Sequence, residues 1–200
     1  MSEKIPDTTI ETKASLRRTY LTNQKKLSQQ EVQSLSQQIS DQLFLTFNFQ
    51  TIRTIHCFLP IVKNNEINTW LIIRRLQQDF PNTQIVIPKT DAASLSIISC
   101  LLAQDTVLTV SDWGIQEPEV IERIETTQID YVLVPLLAYD RQGYRVGYGK
   151  GFYDRFLAQC RPDVVKIGLS YNSPLEKIED IDQYDIPLDY CVTPETVWMF

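Results

Sequence analysis

Two hundred residues suit one domain with a full core, and a composition 43% hydrophobic and 22% charged is that of a soluble globular chain. A net charge of −6 excludes a general nucleic-acid binder, which needs a basic face. No apolar run reaches the length of a membrane span, and Met1-Ser-Glu-Lys-Ile-Pro6 lacks the apolar centre of a signal peptide. The sequence therefore predicts a cytoplasmic protein with neither a membrane nor a nucleic-acid partner.

Residues 1–10 read as a loose segment. A basic helical pattern follows over 11–26, in which Lys13 and Arg17 stand four apart and project from one face. Ser28-Gln-Gln-Glu31 is a capping box opening a second helix, whose stripe of Val32, Leu35, Ile39, Leu43 and Phe47 is core packing. Strand and helix then alternate. Residues 54–59 form a strand closed by Pro60, Asn68 caps a helix through Phe80, and 84–87 form a strand closed by Pro88 with Lys89 beyond it. Residues 95–101 have strand character, 113–118 turn around Trp113-Gly114, and 131–134 form a buried strand ending at Pro135. Short strands at 166–170 and 190–193 complete the set. The predicted fold is α/β: one three-layer domain over 1–200, a mostly parallel sheet flanked by helices on both faces.

Cys57, Cys100, Cys160 and Cys191 are far apart and form no Cys-x-x-Cys pair, so neither a zinc nor a redox motif is supported. The single histidine, His56, sits on a strand and reads as structural. No Gly-x-Ser-x-Gly elbow accompanies it.

The chemistry concentrates between Asp140 and Arg155, in a chain of only six glycines. Gly147, Gly149 and Gly151 alternate with Tyr148 and Lys150, leaving backbone N–H groups able to curl around an anion. Phe152, Phe156, Leu157 and Cys160 fall on one helical face, so a helix begins near Gly151 and adds its N-terminal dipole to the anion site. Arg141, Arg145, Lys150 and Arg155 crowd the same segment. A P-loop needs Ser or Thr after its Gly-Lys, and here Gly151 follows Lys150, so carboxylates must hold any metal that accompanies a nucleotide, with Asp154 nearest. A dinucleotide fingerprint needs glycine where Phe152 stands. Strand ends at Pro60, Pro88 and Pro135 share one edge of a parallel sheet, so Glu66, Lys89 and the glycine segment border one cleft, with Asp189 within possible reach.

The run Arg145-Val-Gly-Tyr-Gly-Lys-Gly-Phe-Tyr-Asp154 resembles the signature of 5-formyltetrahydrofolate cyclo-ligase, also called 5,10-methenyltetrahydrofolate synthetase. The resemblance extends over nearly the whole chain: Lys13-x-x-x-Arg17, the Glu66 loop, Ile87-Pro88-Lys89, Trp113-Gly114-Ile115 and Ile186-Pro-Leu-Asp189 occur in the matching order. It implies ATP-dependent cyclisation of 5-formyltetrahydrofolate, with or without a polyglutamate tail, to 5,10-methenyltetrahydrofolate with release of ADP and phosphate, by a monomer. It implies ATP contacts at Lys13, Arg17, Arg145, Val146, Gly147, Tyr148, Gly149, Lys150, Gly151, Phe152 and Tyr153. Folate contacts are implied at Glu66 and from Tyr148 to Phe152, and Mg2+ at Asp154 and Asp189. Arg145 and Lys150 are the catalytic candidates. Phe152 departs from the Tyr often found there, keeping the packing and losing one hydrogen bond.

The implied chemistry agrees with the residues. A formamide is a poor electrophile until its oxygen becomes a leaving group, and phosphorylation by ATP achieves this before N10 attacks the carbon. No protein nucleophile is required; positioning and cationic charge are. Two rivals remain: an isomerase of a sugar phosphate working without ATP, and a nucleotide sensor without folate-dependent phosphate release.

Overall fold

A computed structural model describes residues 11–200; the loose segment expected over 1–10 lies outside them. Helix α1 (Lys13–Gln24) starts at Thr12, whose hydroxyl accepts the Ser15 N–H at 3.3 Å. Leu16 is its one buried side chain, so the helix lies on the surface with Lys13 and Arg17 on one side. Helix α2 (Gln29–Thr46) carries the complete capping box: Glu31 N–H donates to Ser28 Oγ at 3.2 Å and Ser28 N–H to Glu31 Oε2 at 2.8 Å.

Five strands form the parallel centre of a seven-stranded sheet: β1 (Thr54–His56), β2 (Gln84–Asp91), β6 (Tyr131–Pro135), β9 (Val165–Leu169) and β10 (Tyr190–Val192). Their spatial order is β10-β9-β6-β1-β2, with antiparallel edges supplied by β3 (Ser96–Leu101) beside β2 and β11 (Val197–Met199) beside β10. Two ribbons stand apart: β4 (Leu108–Val110) with β5 (Gln116–Pro118), and β7 (Ala138–Tyr139) with β8 (Arg145–Val146).

Apolar residues face both sides of the sheet, the pattern of strands covered by helices twice over. Ile55, Ile85, Ile87, Leu133, Ile167 and Leu169 pack toward α2 and α3 (Trp70–Asp79). Val86, Val132, Val134 and Cys191 pack on the other face, toward Phe156 and Leu157 of α4 (Phe152–Leu157). The expected three-layer α/β fold is therefore present.

The details differ in four places. The strand expected over 54–59 pairs only through His56, and 57–60 continues without regular pairing. Strand β2 runs past Pro88, because beyond Val86, the last partner of β1, it is paired only with β3, and proline is tolerated on such a one-sided stretch. Asn68 does not cap α3. The helix starts after Thr69, whose hydroxyl instead donates to the Phe58 carbonyl at 2.6 Å. The helix behind the glycine segment has six residues, too short for a strong dipole, so anion binding there falls to loop amides and side chains.

Candidate functional site

Beyond the carboxyl ends of the parallel strands lies a cleft of about 1210 Å³, bordered by Phe58, Leu59, Pro88 and Pro135 just past the ends or late positions of β1, β2 and β6. Its floor is the glycine segment. Asp140 organises that segment from below: fully buried, its carboxylate accepts N–H groups of Gln142 and Tyr144 at 3.0 Å and of Ile178 at 2.9 Å, fixing the turn between β7 and β8. The chain then emerges at Gly147.

Two glycines there are required by geometry. Gly149 has φ +88°, and a Cβ would stand 2.9 Å from Cζ of Arg17, which lies across the loop and donates Nε to the Gly147 carbonyl at 2.8 Å. Gly151 has φ +65°, with Arg155 Nη1 3.0 Å from where its Cβ would be. Arg155 joins the loop to the β2–β3 turn, donating to the Lys150 carbonyl at 2.6 Å and the Leu95 carbonyl at 2.8 Å. Lys150 is exposed over the cleft and has no ion-pair partner among the described residues.

Toward one end, Arg145 is nearly buried and already engaged, donating to Asp154 Oδ1 at 2.7 Å and to the Ile186 carbonyl. Asp154 Oδ1 also accepts the Ile186 N–H at 3.2 Å, while its Oδ2 accepts nothing among the described residues. Lys13 pairs with Asp185, which also accepts the Asp182 N–H at 2.7 Å.

At the other end Glu66 is buried, accepting the Ile61 N–H at 2.7 Å. Burial pushes its carboxyl up to about 7, against the smaller opposing pull of that N–H and of Tyr148. The Tyr148 hydroxyl is buried beside Glu66 with no well-formed partner among the described residues, and burial raises its pKa. Trp113, at the β4–β5 turn, meets Phe152 edge-on with centroids 5.4 Å apart and closes one wall.

The structure thus gathers Lys13, Arg17, Glu66, Arg145, Asp154 and the residues from Gly147 to Tyr153 around one cleft. Three expectations need correction. Asp189 lies at the start of β10, the opposite edge of the sheet, where its carboxylate accepts the Lys166 N–H at 2.7 Å and pairs with Lys166 Nζ at 2.8 Å. It is not among the residues that line the cleft with Asp154. Val146 packs under the loop with Leu16 and Ile178 and does not line the cleft. Lys89 ties β2 to the β4–β5 ribbon through the Pro118 carbonyl at 2.8 Å, whereas its neighbours Pro88 and Thr90 face the cleft. The carboxylate missed in the sequence is Asp185, four residues before Asp189. Its signal was the Asp182-x-x-Asp185 spacing, in which the second carboxylate accepts the first residue's N–H.

Mg2+ takes one or two carboxylates and fills its remaining positions with water and phosphate oxygens. Asp154, with one uncommitted oxygen, fits such a site, whereas Asp185 lines the same cleft but is held by Lys13. A closed protein cage does not fit, since no group of three His, Cys, Asp or Glu is assembled among the described residues.

Clefts at the carboxyl edge of a parallel sheet, beside its long loops, are where α/β enzymes bind their substrates, and this chain is built as one of them. Comparison with known proteins narrows the class: the profile of the 5-formyltetrahydrofolate cyclo-ligase family matches residues 9–194, and the chain belongs to that family. It is 33% identical over 186 residues to the 5-formyltetrahydrofolate cyclo-ligase of Mycoplasma pneumoniae, covering 92% of this chain and 99% of the relative. The Escherichia coli K12 cyclo-ligase is 26% identical over 176 residues, covering 86% and 94%. Among solved structures, Aquifex aeolicus 5,10-methenyltetrahydrofolate synthetase superposes with a TM-score of 0.79 at 28% identity, over 94% of this chain and 92% of the other. The Mycoplasma pneumoniae 5,10-methenyltetrahydrofolate synthetase gives 0.71 at 27% identity, over 92% and 99%. The chain is accordingly a ligase. No helix among the described residues is long and apolar enough to cross a membrane.

Proposed function

We propose that this chain converts 5-formyltetrahydrofolate to 5,10-methenyltetrahydrofolate in the described cleft, as a cytoplasmic monomer, with ATP bound over the glycine loop and the pterin against Glu66. The observation that carries the arrangement is the contrast between the cleft's two ends. One end offers loop amides with Arg17 and Lys150, suited to phosphates; the other offers a buried carboxyl and a buried hydroxyl, suited to the N–H edge of a heterocycle. The walls between them are apolar and aromatic, as a flat pterin requires.

Ring closure proceeds in two balanced steps. The formyl oxygen attacks the γ-phosphorus of ATP, and the bond to ADP breaks. N10 then attacks the activated carbon, the N10–H proton passes to the departing phosphate, and that phosphate leaves with the formyl oxygen as the imidazolinium forms. Lys150 and Arg17 neutralise the transferring phosphoryl group and hold it in line. Arg145 keeps Asp154 oriented, and Asp154 would hold Mg2+, which would supply further charge neutralisation. Glu66 fixes the pterin so that its formyl group meets the loop. Because all these groups come from one chain, no partner subunit is needed.

The reading is tested by following the methenyl absorbance with purified protein. Formation must require 5-formyltetrahydrofolate, ATP and Mg2+ together, with one ADP released per product. Product formation without ATP would overturn it, as would ATP binding without folate-dependent phosphate release. Varying the glutamate-tail length in the same assay measures whether polyglutamylated substrate is preferred.

A further inference from the structure

The only histidine of the chain lies behind the cleft. His56 ends β1 and is fully buried, its ring 4.6 Å from that of Phe156 and edge-on to Tyr153 at 5.9 Å. Its Nε2 stands 3.3 Å from Tyr153 Oη, while Nδ1 is buried with no partner among the described residues. Burial lowers the imidazole pKa to about 3, so at neutral pH one nitrogen carries a hydrogen and the other a lone pair.

The surroundings decide which is which. A buried N–H without an acceptor is rarer in folded proteins than an acceptor left without a donor. If the hydrogen were on Nδ1 it would be stranded. On Nε2 it is donated to Tyr153. The tyrosine oxygen then receives one hydrogen bond, and its own O–H is released to point elsewhere. Tyr153 lines the same cleft as Glu66 and Arg145.

We infer that His56 is a positioning residue: by donating Nε2–H to Tyr153 it turns the Tyr153 O–H into the cleft, as a donor to an oxygen of the phosphoryl group transferred there. This rests on the function proposed above. A donor aimed at charge that grows during transfer raises kcat more than it lowers KM.

Because the chain has a single histidine, nitrogen-15 NMR of the untagged, ligand-free protein at neutral pH reads the tautomer without assignment. The expected spectrum has one protonated and one bare ring nitrogen, with the proton on Nε2; a proton on Nδ1 overturns the inference. Kinetics supply the second arm. Tyr153→Phe should lower kcat by roughly 10- to 100-fold with both KM values nearly unchanged. His56→Leu should lower kcat by about tenfold, and His56→Gln, whose amide N–H can take the place of Nε2–H, should recover most of it. The double variant His56→Leu/Tyr153→Phe should be no slower than Tyr153→Phe alone. Multiplying losses, or a folded His56→Leu protein with unchanged kcat, would overturn the role of His56. A wild-type protein without ring-closing activity would overturn the proposed function and the role of Tyr153 with it, whereas the wrong tautomer in an active enzyme would overturn only that of His56.

Discussion

Arg17 lies flat across Gly149, its Cζ 2.9 Å from where a Cβ would stand, and it donates Nε to the neighbouring Gly147 carbonyl at 2.8 Å. Helix α1 is thereby locked to the loop that would hold phosphates. Gly149→Ala meets two obstacles at once: φ +88° costs an L-residue roughly 1–2 kcal/mol, and the methyl group displaces a guanidinium. The expected outcome is an ATP KM raised about tenfold or more, a smaller change in the folate KM, and a melting temperature lower by a few degrees, read by steady-state kinetics and thermal denaturation. Equal changes in both KM values would detach the Arg17–Gly149 contact from the nucleotide.

Glu66 gives the protein a pH signature. Its carboxyl is raised from 4.5 to about 7 by burial, so the folded state binds a proton that the unfolded state has released between those values. The stabilisation is fully present below pH 4.5 and is lost as pH rises through 7. His56 acts oppositely: lowered from 6.5 to about 3, it makes the unfolded state bind more protons in that interval, so stability rises with pH across it. The two trends partly cancel in the wild type. Glu66→Gln removes only the first, and the difference in urea stability between wild type and variant should change by about 2–3 kcal/mol from pH 5 to pH 7.5. A difference independent of pH would show that Glu66 titrates normally. In turnover assays the same variant should raise the folate KM more than the ATP KM.

How much of this was legible in the sequence follows from the range of each interaction. The capping box of Ser28 and Glu31, the stripe of α2 and the strand ending at Pro135 are set by residues within a turn or a strand of one another, and each forms where the pattern places it. The glycine segment was legible because Gly149 and Gly151 need conformations that few other residues adopt. Contacts between distant segments were not. Asp189 and Asp185 differ by four positions, yet one side of a strand separates them: Lys166 on neighbouring β9 claims the first and Lys13 of α1 the second. The helix beyond Gly151 ends after Leu157, sooner than its apolar spacing implies, because Ala158 and the following residues turn to start the approach to β9. Likewise the tie between His56 and Tyr153 joins residues 97 apart.

The position of Asp189 yields a clean contrast. Asp154 faces the cleft with one oxygen uncommitted, whereas Asp189 is held by Lys166 at the far edge of the sheet. Asp154→Asn should raise the Mg2+ concentration needed for half-maximal turnover by about tenfold or abolish activity, because a neutral amide is a poorer ligand for a hard cation. Asp189→Asn should leave the Mg2+ titration unchanged and lower only thermal stability. A shifted titration for Asp189→Asn would contradict the placement of that residue.

Lys150 and Arg155 separate the chemistry from the scaffold that presents it. Lys150 reaches into the cleft without an ion-pair partner among the described residues, so its charge is available to a phosphoryl group. Arg155 uses its donors on the Lys150 and Leu95 carbonyls, fixing the loop's path rather than meeting the ligand. Lys150→Ala should lower kcat by two orders of magnitude or more at saturating ATP, as the loss of a charge that stabilises the transition state predicts. Arg155→Ala should instead raise the ATP KM several-fold with kcat reduced less, since a loosened loop binds nucleotide poorly before it transfers poorly. Arg155→Lys should not rescue it, because one ammonium cannot span two carbonyls as the planar fork of a guanidinium does. Steady-state kinetics of the three variants, with circular dichroism to verify folding, measure these outcomes. A Lys150→Ala enzyme that keeps its kcat would remove Lys150 from phosphoryl transfer.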